Sequence, residues 1–270
     1  MNGATKKTVG ALTVVLAVCG GVVLLGTGAG AAFAGVQQVS SQEGGTTRQD
    51  VQGVTSLDLE VGAADMTIEF REGVTEARLE IEQGSEQDWS LRRDDDELKV
   101  RGPGSGFDWF RPDWLRGEQQ ATLVLPESLL GIDADLTLQA GSLSVDGEFG
   151  ELDLDINAGA LTVQGAAREL DVQVNAGRAD IDLRDVRTAE YTVNAGRVTA
   201  ELQSVPDEVS IDLTAGRLDL TVPDGSYALR HQATAGTLES DLVQDPSSTH
   251  RIQADVSAGT VTLSPGGAAE

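Results

Sequence analysis

The tract Leu152-Asp153-Leu154-Asp155-Ile156-Asn157-Ala158-Gly159-Ala160-Leu161-Thr162-Val163 decides how this chain folds. Every second residue from Leu152 to Ala158 is apolar, which is the period of a β-strand. After Gly159 the apolar positions are Leu161 and Val163, one residue out of phase with those before. Side chains alternate faces along a strand, so such a slip turns the second apolar face outward. Both halves can face one core only if the chain bends sharply between them. Gly159 supplies the backbone freedom for that bend. Ala158 is expected at the inside of the corner. Asn157 is suited to bond neighbouring backbone or a copy of itself one coil away.

The same unit recurs along the chain. Its corners are Gln139-Ala140-Gly141, Asn157-Ala158-Gly159, Asn175-Ala176-Gly177, Asn194-Ala195-Gly196, Thr214-Ala215-Gly216, Thr234-Ala235-Gly236 and Ser257-Ala258-Gly259. Successive glycines lie 18, 18, 19, 20, 20 and 23 residues apart. Serial repetition at this period is the signature of one unit stacked many times. The pattern predicts an all-β chain with a repetitive β-solenoid over residues 126–265. Coils about 4.7–4.9 Å apart would give seven of them a height of about 33 Å. A β-sandwich of meandering hairpins, with Ala-Gly in the turns, is the alternative. Residues 51–125 are less regular and read as an irregular β cap on the open end of the stack. Within them Val61-Gly62-Ala63-Ala64 looks like a degenerate eighth copy, with Ala64 where glycine stands elsewhere. Residues 266–270 form a short tail.

The start of the chain has a different character. Residues 8–36 are apolar throughout, long enough to span a bilayer, and follow Lys6 and Lys7. The positive-inside rule then keeps the N-terminus cytoplasmic and exports the rest. Residues 1–36 read either as a retained membrane anchor or as a signal peptide cleaved after Ala32-Phe33-Ala34. Cys19 is the chain's one cysteine, so no internal disulfide contributes to stability. Residues 37–50 are polar and rich in Gly, Ser and Thr, and read as a flexible linker.

Net charge narrows the partners. The formal charge is −25. Lys6 and Lys7 are the only charged residues before position 37, so the remainder carries 17 basic against 44 acidic residues, or −27. That balance excludes nucleic acid as a partner and disfavours lying flat on anionic lipid.

The apolar N-terminal segment, the strand–Pro entry Leu123-Val124-Leu125-Pro126 and the serial x-Ala-Gly-x-Leu-x-Val units together resemble a family of bacterial surface-protein domains, the putative adhesins. The resemblance covers about residues 51 to 264. It implies a non-enzymatic extracytoplasmic protein at the cell surface, an adhesin or a scaffold contacting an envelope polymer or another surface protein. It carries no catalytic residues. The alternative role is an extracytoplasmic sensor or accessory subunit that regulates a membrane partner, for which Gly26-x-x-x-Gly30 is a helix-packing signal.

Residues for catalysis or cofactor binding are sparse. His231 falls between Leu229 and Ala233 on the inward phase of its copy and reads as a structural histidine. No metal-ligand motif, P-loop or nucleotide fingerprint occurs. Stacking creates columns of side chains. One reads Asp135, Asp153, Asp171, Glu190, Ser210, Arg230, Gln253 in chain order; another reads Thr137, Asp155, Gln173, Thr192, Asp212, Gln232, Asp255, with no two carboxylates in succession. The residue after the corner glycine gives Arg178, Arg197 and Arg217, which either pair with Asp180 and Asp219 or hold a polyanion. The last candidate is the interruption from Gly102 to Gly117. Its aromatics Phe107, Trp109, Phe110 and Trp114 either contact a partner or fold back to plug the end of the stack.

Overall fold

A computed structural model describes residues 45–83, 86–104 and 119–266. Residues 1–36, expected to be a membrane anchor or signal peptide, and most of the residues expected to be linker lie outside these residues. Among those described, no helix is long and apolar enough to cross a membrane.

Strand dominates, as the alternating sequence requires. In chain order the strands are β1 (Thr46–Asp50), β2 (Ser56–Arg71), β3 (Glu76–Gln83), β4 (Ser90–Asp94), β5 (Glu97–Arg101), β6 (Gln120–Pro126), β7 (Ile132–Ile156), β8 (Ala160–Arg184), β9 (Thr188–Leu202), β10 (Glu208–Pro223), β11 (Ser226–Ala233), β12 (Thr237–Ser240), β13 (Val243–Gln244), β14 (Arg251–Val256) and β15 (Thr260–Gly266). β1 overlaps the residues expected to be linker. Its five residues pair antiparallel with β3, so the folded part begins earlier than composition implied.

From β7 to β15 every ladder is parallel, and all but the two-residue β11–β13 ladder join equivalent positions of neighbouring units. Leu152 lies beside Leu170, Val174 beside Val193, and Gly177 beside Gly196. Burial follows the slipped phase. Buried positions stop at Ile156, Val174, Val193 and Leu213, and resume at Leu161, Ala179, Val198 and Leu218. Four consecutive residues, from Asn or Thr to the residue after Gly, therefore point away from the core. Ala158, Ala176 and Ala195 are exposed, not on the inside of the corner. Their small size serves corner-on-corner packing instead: Ala176, Ala195 and Ala215 lie in register.

Glycine at the corner is dictated by the backbone of the neighbouring unit. At Gly159, φ is +116° and a Cβ would stand 2.3 Å from the Gly141 carbonyl oxygen. At Gly216, φ is +123° and the clash is 2.2 Å from the Gly196 oxygen. No side chain fits between two backbones this close. The residues before the corner add a polar ladder: Asn175 Nδ2 donates to Asn157 Oδ1 at 3.1 Å, and Asn194 Nδ2 to Asn175 Oδ1 at 2.8 Å.

The stack begins earlier than residue 126. β2 pairs in parallel with β7, setting Ala63 beside Ala140 and Ala64 beside Gly141. On its other side β2 meets β5 along Ser56–Glu60 and β6 along Asp65–Arg71. β5 and β6 together thus occupy the place of one more unit, with residues 102–119 inserted where its corner would be. The Pro103 carbonyl accepts from the Ala63 amide at 2.9 Å, and the Gln119 carbonyl from the Asp65 amide at 2.9 Å. Only β1, β3 and β4 add antiparallel pairing, and Trp89 is buried among these capping elements.

The order of units departs from chain order at the C-terminal end. β10 pairs with β14 and β15, not with β11. β11 and β12 pair with the far sides of β14 and β15. The seventh copy therefore lies between the fifth and the sixth, and the sixth is outermost. His231 is consequently exposed, and Leu229 only half-buried, because no further unit covers them. The sequence anticipates this, since the inward positions of the seventh copy (Ile252, Ala254, Val256) are all apolar whereas those of the sixth include His231.

Two tyrosines occupy the interior with different satisfaction. Tyr227 Oη donates to the Pro223 carbonyl at 2.8 Å, whereas the Tyr191 hydroxyl is fully buried without a hydrogen-bond partner among the described residues. Burial raises the pKa of both, that of Tyr227 to about 12. An orphan hydroxyl in an apolar core costs about 1–3 kcal/mol. Tyr191→Phe is expected to raise stability by about 1 kcal/mol, and Tyr227→Phe to lower it by a similar amount, in urea unfolding. A second pair separates stacking from backbone strain. Gly73 has φ +75° and nothing within 4 Å of the place a Cβ would take, unlike Gly159. Gly73→Ala is expected to cost about 1 kcal/mol, and Gly159→Ala about 3 kcal/mol or more. Equal losses in the same unfolding experiment would contradict corner stacking as the cause.

Candidate functional site

Three surface features arise from the stack: an acidic ladder, an insertion point and an arginine-lined corner ridge. The acidic ladder runs Asp58, Asp135, Asp153, Asp171, Glu190. It continues to Ser210, Gln253 and Arg230 in that order, because the seventh copy intervenes. Arg101 closes its other end with Nη2 2.5 Å from Asp58 Oδ2. Like charges directly opposite are unfavourable. Burial first, and then the carboxylates of Glu151, Asp171, Asp135 and Asp133, push the Asp153 carboxyl up to about 6 from its ordinary 3.8. Burial is also the main cause that raises Asp135, Asp155 and Asp171. Among the described residues no group of three or more His, Cys, Asp or Glu has the geometry of a metal site.

The second column does not keep its carboxylates apart. Asp212 and Asp255, separated by Gln232 in chain order, are direct neighbours in the sheet. The spacing these charges have in chain order is lost because the seventh copy lies between the fifth and the sixth.

The aromatic candidates Phe107, Trp109, Phe110 and Trp114 lie outside the described residues. Their point of departure is described: Pro103 and Gly104 lie over the Ala63 corner, where a Cβ on Gly62 would meet the Pro103 oxygen at 2.1 Å. The described residues that flank the insertion therefore lie on the same ridge as the Ala-Gly corners.

Along that ridge the corner residues named from the sequence come together as one line. Gly141, Gly159, Gly177, Gly196, Gly216, Gly259 and Gly236 succeed one another, each against the backbone of the next. The position after glycine forms the ladder Asp65, Ser142, Ala160, Arg178, Arg197, Arg217, Thr260, Thr237. The three arginines occupy successive units. Beside them runs an open groove of about 720 Å³, floored by Gly159, Gly177, Gly196 and Gly216. Of the two pairings expected for these arginines, one exists: Arg217 Nη1 lies 3.6 Å from Asp219 Oδ1. Arg178 makes no ion pair with Asp180, and neither Arg178 nor Arg197 has a side-chain partner among the described residues.

No family model matches the chain, and no curated protein does. Solved structures do align with it over most of its length. A putative cell adhesion protein from Clostridium sporogenes is 12% identical, with 83% of this chain and 99% of that one covered and a TM-score of 0.37. A putative adhesin from Bacteroides fragilis is 16% identical, covers 83% and 98%, and has a TM-score of 0.35. A putative lipid binding protein from Parabacteroides distasonis is 9% identical, covers 81% and 96%, and has a TM-score of 0.27.

The acidic ladder predicts a pH dependence. Native Asp153 keeps its proton to about pH 6, whereas the unfolded chain releases it near 3.8. Between these values the native state binds more protons, so the stabilisation is present at low pH and is lost as pH rises through about 6. Asp94 and Asp245, held below 3.8 by Lys99 and Ser247, act in the opposite sense only at still lower pH. The melting temperature is expected to be higher at pH 5 than at pH 7.5, and Asp153→Asn to narrow that difference by raising the value at pH 7.5.

Proposed function

We propose that this chain is a non-enzymatic extracytoplasmic surface protein, an adhesin or envelope-interaction scaffold, whose repeats coil as a β-solenoid. The observation that supports the reading is the parallel, in-register pairing of successive Ala-Gly units, which turns single residues into straight columns along one ridge. Parallel strands one unit apart favour coils over hairpins. A regular ridge with uniform side-chain spacing suits a repetitive ligand, whereas a catalytic site needs several different groups converging on one point. Residues 1–36 act as a membrane anchor with a cytoplasmic N-terminus, or as a signal peptide removed on secretion, and the described residues stand outside the membrane. The high negative charge then keeps the domain soluble and separate from anionic lipid.

The test is made on intact cells producing the full chain with a C-terminal epitope. Added protease is expected to remove the epitope without lysis, and the cells are expected to retain isolated envelope polymer better than cells lacking the chain. An epitope protected until the cells are opened would overturn the surface reading.

A further inference from the structure

We propose that the ladder Arg178–Arg197–Arg217, with the glycine groove beside it, binds a linear phosphate polymer whose anionic groups engage successive units. The inference deepens the surface-scaffold reading and rests on it for where such a polymer would be met.

Charge is the first argument. The four-residue corners from 139–142 to 234–237 contain no aspartate or glutamate, in a chain with 44 acidic residues. Their charged residues are the three arginines, side by side in successive units. Exposed arginines stacked at the strand spacing of about 4.8 Å repel one another, which disfavours the free protein. Carboxylates are close at hand, yet only Asp219 is used, at 3.6 Å. An anion bridging neighbouring guanidinium groups removes that repulsion, and the planar fork of each arginine matches phosphate geometry.

Shape is the second argument. Glycine leaves the floor of the groove bare, so a thin chain can lie along it next to the arginines. On one side the ladder continues through Ala160 and Ser142, and on the other through Thr260 and Thr237, all uncharged. A polymer longer than three phosphates can thus run past both ends of the ladder before it meets Asp65. The acidic remainder of the surface repels it elsewhere, so the ligand is confined to this line. A single phosphate reaches at most two exposed arginines and gains little, whereas linked phosphates bind with the advantage of effective concentration.

The experiment measures binding of the full-length chain in detergent to orthophosphate, tripolyphosphate and long-chain polyphosphate, with a sulfated polysaccharide and polyglutamate as comparison polymers. Affinity is expected to rise at least tenfold from orthophosphate to tripolyphosphate and further for the long chain, and to fall steeply with salt. Arg197→Ala is expected to weaken polyphosphate binding about tenfold, and the triple replacement of Arg178, Arg197 and Arg217 by alanine to abolish it. The triple variant should melt no lower than the parent, since it loses mutual repulsion. Arg92→Ala and Arg187→Ala, away from the ridge, should bind as the parent does. Undiminished binding by the triple variant, absence of any chain-length effect, or tighter binding of the sulfated polysaccharide or polyglutamate than of polyphosphate would overturn the assignment. The assay is cell-free, so its failure leaves the protease result on intact cells standing, and the reverse holds as well.

Discussion

Everything in this fold depends on the close approach of one corner to the next. Parallel strands pair at about 4.8 Å, and a turn can follow that spacing only if nothing protrudes between successive backbones. At Gly159 and Gly216 the neighbouring carbonyl oxygen occupies the place of a Cβ. That constraint fixes glycine, favours alanine before it and leaves the residue after it free to vary. The core is a consequence: once corners stack, Leu, Val and Ile on both flanking strands are brought to one interior, where burial of each contributes about 1.5–3 kcal/mol. The Asn157–Asn175–Asn194 ladder reinforces the same register from outside.

The freedom of the residue after glycine is what makes the ridge interesting. A position that stacking does not constrain can be filled by charge, and one in register becomes a ladder without further design. Arginine there and carboxylates on the strand faces give two lines of opposite sign on one domain. Both carry unfavourable self-repulsion. The acidic line lessens it by holding protons more tightly, most clearly at Asp153, and by the Arg101–Asp58 pair at its end. Guanidinium groups have no such recourse near neutral pH, since they do not deprotonate.

Much of this was legible in the sequence because strand periodicity and glycine chemistry are local. The slip between Ile156 and Leu161 predicts the bend, and the recurring Asn predicts a side-chain ladder. What local pattern could not supply was adjacency between distant segments. Nothing near Thr234 states that residues 251–266 will lie inside it, although His231 on an otherwise apolar phase is the trace of an end position. The same blindness made Asp212 and Asp255 appear separated. β5 and β6 look irregular in the sequence because residues 102–119 separate them, so neither half shows the repeat. The exposure of the corner alanines is illegible for a different reason: alternation alone assigns every second residue inward and does not count the four residues that the turn consumes.

The interposed seventh copy also bears on how the molecule is assembled and how it evolves. A stack whose units lay in chain order could be completed one coil after another during synthesis and lengthened by duplicating its last coil. Here the unit at 226–240 has no neighbour to rest on until 251–266 has been made, because β14 and β15 separate it from β10. The units at 226–240 and 251–266 must therefore dock together, as a clasp closes, once residue 266 has been made. A duplicate of the seventh copy could not pair beside its parent, because the far sides of β14 and β15 are held by β11 and β12.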